Sequence, residues 1–296
     1  MGVSIGSGVA FGIGPPGSTG AGITPPPTSY SIQYLVVAGG GGSGYACRYQ
    51  VGSGGGGGGG VLAYNTTLVP GTTYTITVGA GGAGGTYSTQ IPSSSGCNSS
   101  ITGGTLTGIV AIGGGSGQGG SPGGSGGGNN GGGAIGSATG YPSPAPLFYT
   151  PTGAQGYPGT IGGAATPAPI GYTTGGAGGG AGGGGTAGMN GGGGVGYTWP
   201  YTATTYAGGG AGGVTCGNSG GPGGGGARWT PGTPGKGGGG GGADYRQNGY
   251  SGGDGVVIIA VPTPNYPGAY GPQATTPPSA PGMTVITFTA PGTYTA

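Results

Sequence analysis

Asp244 and Asp254 are the sole carboxylate side chains in 296 residues, and histidine is absent. A two-carboxylate acid–base pair of the glycosidase kind would have to use those two residues. Without an imidazole, the Ser/His/Asp and Cys/His arrangements disappear together with the commonest metal ligand. Asp254 precedes an apolar run and reads as a turn residue, while Asp244 reads as a loop charge beside Arg246. The expectation is a protein that is not an enzyme and needs no cofactor.

Other chemical motifs also dissolve on inspection. In a chain with 96 glycines, the dinucleotide-binding pattern G-x-G-x-x-G arises about ten times by chance and carries no information. Lys236 follows Gly235, but Gly237 stands where a phosphate-binding loop needs Ser or Thr. Cys47, Cys97 and Cys216 are far apart and odd in number, so free thiols or one incidental pair are expected. The sequons at Asn65 and Asn98 matter only in a secretory pathway, for which nothing else argues.

Charge is as sparse as chemistry. Arg48, Arg228, Lys236 and Arg246 against the two aspartates give a net charge of +2. Four scattered bases cannot neutralise a phosphate backbone, so no nucleic-acid partner is expected. The apolar run at 256–261 is too short to cross a bilayer, and the start of the chain lacks the basic residues of a secretory signal.

What remains is the backbone and the elements that order it. Glycine runs such as 182–185 and 237–242 break the strict three-residue register of collagen. Disorder is opposed by 2% charged against 32% hydrophobic residues, the reverse of a solvated tail. Apolar or alternating stretches predict strands around 31–38, 61–64, 72–78 and 256–261, with a further one at 283–289. Pro70-Gly71 marks a turn, and glycine and proline at this density leave no room for an α-helix.

Between the strands lie glycine blocks, including 54–60, 113–133, 175–194, 208–213, 220–226 and 237–242. A polyglycine segment can take the extended three-residue-per-turn helix, whose N–H and C=O groups all point sideways. Several such helices side by side satisfy one another, and the lack of side chains permits their approach. The fold expected is therefore mostly irregular and all-β, a packed polyglycine II bundle flanked by short strands. The chain divides into an N-terminal arm or attachment segment at 1–29, a glycine-rich domain at 30–262, and a Pro-rich connector with a last strand at 263–296.

The inserts between blocks become loops at the bundle ends, and they carry Phe148, Tyr149, Tyr157, Tyr172, Tyr197, Trp199, Tyr201, Tyr206, Trp229, Tyr245 and Tyr250. Tyr and Trp among small residues are the chemistry of a paratope, offering contact area at low entropy cost. The same rings could equally plug the bundle ends. Both readings stand at this point.

The order of motifs resembles a known family. The series YLVVAGGGG at 34–42, the glycine run at 54–60 with Val61-Leu62, YTITVGAGG at 74–82, YAGGG at 206–210 and SGGDGVVII at 251–259 is similar to the glycine-rich domain of bacteriophage tail-fibre and tail-tip adhesins, of marine and cyanobacterial type. That resemblance implies a virion structural protein on the tail or outer surface, assembled in the host cytoplasm. Its implied partners are other virion proteins, a host-surface saccharide or protein, and copies of itself, as in a trimer. Receptor attachment is the first reading. An architectural virion component such as a capsid decoration, neck or fibre shaft is the second, and an extracellular antifreeze or matrix protein is a remote third.

Overall fold

The computed structural model describes residues 29–46, 52–104, 106–129, 155–156, 174–186, 191–213, 218–268, 274–275 and 280–296. Its strands are β1 (Tyr30–Val37), β2 (Val61–Leu68), β3 (Thr73–Thr77), β4 (Ser99–Gly103), β5 (Leu106–Ala111), β6 (Tyr197–Trp199), β7 (Thr204–Tyr206), β8 (Val256–Pro262), β9 (Ala274–Thr275), β10 (Met283–Phe288) and β11 (Gly292–Thr295). One 3-10 turn, Thr263–Asn265, follows β8, and no α-helix occurs among the described residues. The arm expected at 1–29 lies, save for residue 29, outside them.

All five strands expected from the sequence form. In antiparallel register they and their partners make a five-stranded sheet, β2-β1-β8-β10-β9, and a four-stranded sheet, β11-β3-β4-β5. Period-two alternation decides how the sheets meet. Tyr30, Ile32, Tyr34 and Val36 of β1 join Val257, Ile259 and Val261 of β8 on one face, packed against Tyr74, Ile76, Ile101, Ile109 and Tyr294 of the other sheet. The Tyr30 and Tyr294 hydroxyls meet at 3.1 Å across this core.

The opposite face of the larger sheet is covered as well. Leu35, Val37, Val256, Ile258 and Val285 lie under the β6–β7 hairpin. This explains why β8 reads VVIIAVP without alternation and is buried from Val256 to Val261. A strand covered on both faces has no polar side to show.

The sequence reading missed β4, β5, β9, β11 and the β6–β7 hairpin. For β4 and β5 a signal existed: Ile101 and Ile109-Val110 flank Gly103-Gly104, which have φ of 126° and 54°. Two β-branched runs about a Gly-Gly pair mark a hairpin. The C-terminal strand β11 pairs with β3, Thr293 opposite Thr75 and Tyr294 opposite Tyr74.

Glycine segments continue from the strand ends. β1 runs into 38–46, and 52–60 returns into β2; 78–85 and 92–98 join β3 to β4. The hydrogen bonds of 38–46 turn through three directions in succession. Ala38, Gly41 and Gly44 donate to Gly60, Gly57 and Gly54; Gly39 and Gly42 donate to Cys97 and Ser94; Gly40 and Ser43 donate to Gly253 and Tyr250. Each direction recurs every third residue, which is the bonding of a three-fold extended helix.

Segment 52–60 sits at the centre of this lattice. Its amides donate to 237–243, 112–115 and 176–179, and its carbonyls accept from 38–44, 125–128 and 210–213, making six neighbours among the described residues. At most of its glycines the nearest atoms to an added Cβ are backbone atoms of other segments: for Gly56 they are at Gly41, for Gly59 at Ala38. Backbone amides here do the satisfying that side chains and water do elsewhere.

Candidate functional site

The bundle has two ends. At the sheet end the glycine segments become strands; at the far end they turn back on themselves. Far-end turns are stitched together: Tyr45 N–H donates to Gln118 Oε1 at 3.0 Å, and Tyr87 N–H donates to Asn248 Oδ1 at 2.8 Å. Ala46 N–H donates to the Gln247 carbonyl at 3.1 Å, and Gly249 N–H to Gly85 at 2.7 Å.

The aromatic residues singled out from the sequence do not form one surface. Phe148, Tyr149, Tyr157 and Tyr172 lie outside the described residues. Tyr197, Trp199, Tyr201 and Tyr206 gather at the sheet end, on and beside the β6–β7 hairpin. Trp199 is 2% exposed and Tyr206 6%, both packed on the outer face of the five-stranded sheet. Tyr201 lies with its ring centroid 5.0 Å from that of Trp199, and burial raises the pKa of the half-buried Tyr197 phenol. These four rings plug that end. Cross-strand pairing fixes the hairpin, with the Thr198 and Thr205 hydroxyls 2.8 Å apart.

Trp229, Tyr245 and Tyr250 are at the far end. Trp229 and Tyr245 are each 43% exposed. Tyr250 is half-buried, its backbone tied to Ser43 through both N–H and C=O.

Asp244 departs from its sequence reading. Far from being a loop charge beside Arg246, it is fully buried and takes a hydrogen bond from Arg228 Nη2 at 2.6 Å. Its other oxygen accepts Trp229 Nε1–H at 2.9 Å. The reason lies in the lattice: segment 225–229 runs beside 237–242, with Gly226 donating to Gly239 and Trp229 to Gly242. Charges 16 positions apart therefore meet, and Arg228 was missed because no local pattern points across two glycine segments. The guanidinium also lies 3.7 Å from the centroid of the Trp229 ring, a cation–π contact.

Asp254 sits at the sheet end, accepting Gly81 N–H at 2.9 Å. The two carboxylates thus stand at opposite ends of the bundle. Cys97 is an exposed free thiol; Cys47 and Cys216 lie outside the described residues.

A β-sandwich carrying a lattice of polyglycine helices, with aromatic residues divided between its two ends, defines the class of this protein. The model of the glycine-rich domain matches residues 16–262, and the chain belongs to that family. A search of curated proteins finds no match.

Proposed function

We propose that this chain is a virion structural protein of a tailed bacteriophage, a tail-fibre or tail-tip adhesin whose far-end loops contact the host surface. The observation that carries the reading is the separation of scaffold from loops. Turns 86–91 and 245–246 join glycine segments at the end away from the sandwich, so their side chains can change without entering the backbone core. Loops on a rigid scaffold are where recognition residues concentrate. Membership of the glycine-rich domain family agrees with the reading, and the order of motifs at 34–42, 54–62, 74–82, 206–210 and 251–259 resembles that of phage adhesins.

In this reading the sandwich end faces other virion proteins, and the chain works as a homo-oligomer such as a trimer. The receptor is a saccharide or protein of the host surface. With few charges on the molecule, attachment depends only weakly on salt.

Immunogold labelling of intact particles tests the proposal. Label at the distal tail tip is expected; label over the shell or collar would favour an architectural component. Exchange of the exposed side chains at 245–247, with Arg228 and Asp244 kept, should alter adsorption while the melting temperature of the protein holds. Adsorption that survives every far-end exchange would overturn receptor contact.

A further inference from the structure

Among the described residues, six that are not glycine hold a left-handed backbone: Gln90, Ala203, Ala207, Trp229, Tyr245 and Arg246. Three of them, with φ of 65°, 51° and 61°, surround Asp244 at the far end. Glycine adopts this conformation without strain, and this chain carries glycine at 96 positions. A ring or guanidinium kept there retains strain that glycine would relieve, which points to a use for the side chain.

The local geometry shows what that use could be. The indole of Trp229 is held at its Nε1 edge by buried Asp244 and on one face by Arg228, so its orientation is fixed before any ligand arrives. It nevertheless remains 43% exposed. The Gln247 amide closes the next turn onto the Asp244 carbonyl at 3.2 Å, so this turn starts at the residue that holds the indole. An open depression of about 480 Å³ is lined there by Arg246, Gln247, Asn248, Gly249 and Tyr250.

We propose that the Trp229 and Tyr245 rings with the 246–250 depression form a saccharide subsite that takes one pyranose unit of a surface glycan. The negative face of an aromatic ring attracts the polarised C–H groups on one side of a pyranose. Planar amide groups suit its paired hydroxyls, and the depression offers Gln247 and Asn248. Asn248 Oδ1 already accepts Tyr87 N–H, leaving its amide N–H groups to donate. Fixed aromatic orientation lowers the entropy lost on binding. A protein receptor would want a deeper apolar pocket with desolvated anchors, and this depression is shallow and polar-lined.

The proposal deepens the attachment reading and rests on it. The test is isothermal titration of the full chain with methyl hexosides, dextran, mannan, galactan and polygalacturonate. Saturable binding of at least one is expected, weakened at least tenfold in Trp229→Ala and measurably in Gln247→Ala and Tyr245→Ala, two changes at exposed positions. No saturable response across the panel overturns the subsite, as does equal binding by all three variants. Periodate treatment of cells that adsorb the chain separates the two ideas. Adsorption that resists periodate overturns the saccharide while leaving attachment intact. Label at the shell or collar together with glycan binding overturns attachment and leaves the subsite.

Discussion

The Gly41 amide donates to the Gly57 carbonyl across 2.8 Å, with glycine backbone on both sides of the bond. Neither residue has space for a side chain. A Cβ on Gly41 would strike Gly115, and one on Gly57 would strike Ser125 and Gly126, all through main-chain atoms. Main chain held by hydrogen bonds to several neighbours cannot step aside as a flexible side chain would.

Gly57→Val should therefore destabilise the fold by more than about 3 kcal/mol, above the usual range for overpacking. Gly71→Ala is the control: its added Cβ meets nothing within 4 Å, and only the left-handed φ of 76° opposes it, at a cost of about 1 kcal/mol. Equal urea midpoints for the two variants would remove the packed-backbone account.

Trp199→Ala should cost about 3–5 kcal/mol, because it empties a core site rather than trimming a loop. Tyr245→Ala, at an exposed far-end position, should stay within about 0.5 kcal/mol. Chemical denaturation of the pair checks the division of the aromatic residues between the two ends. Exchange of 195–206 as a block should likewise unfold the chain, because Trp199 and Tyr206 are buried.

Asp244→Ala leaves the Arg228 charge at 13% exposure without this carboxylate. Breaking such a pair from one side costs about 3 kcal/mol. Asp244→Asn keeps an acceptor and should lose less. In both variants the Trp229 emission should change, since its N–H donates to this carboxylate. Unchanged emission would contradict the fixed indole.

Tyr34 gives the fold a dependence on alkaline pH. Burial, aided by neighbouring Tyr64, pushes its phenol from 10.0 up to about 12. The folded chain thus holds this proton after an unfolded chain has released it. The contribution is complete below pH 10.0 and is lost as pH rises toward about 12. Denaturant midpoints should fall over that window, and more steeply for the natural chain than for Tyr34→Phe. Parallel curves would rule out Tyr34 as the source.

Much of this architecture is legible in the sequence because it depends on local properties. Alternating and β-branched runs gave β1, β3, β8 and β10, and runs of residues without side chains left backbone-to-backbone packing as the way to bury 54–60. The missed strands were short: three residues each in β6 and β7 and four in β11. β4, at Ser99–Gly103, has Ile101 as its single large apolar residue, so alternation did not reveal it and the Gly103-Gly104 turn into β5 was its one sequence signal.

The sequence by itself determined that the chain would build strands, avoid α-helix and pack its glycine segments as a core. Only the tertiary structure decided which segments are neighbours, and with that the placing of Trp199 in a core, Trp229 at an exposed tip and Asp244 beside Arg228. The physical reason is that glycine segments are alike on every side. With no side chains to choose a partner, a segment takes its neighbours from the strands and turns that connect it, and those connections exist only in the folded chain.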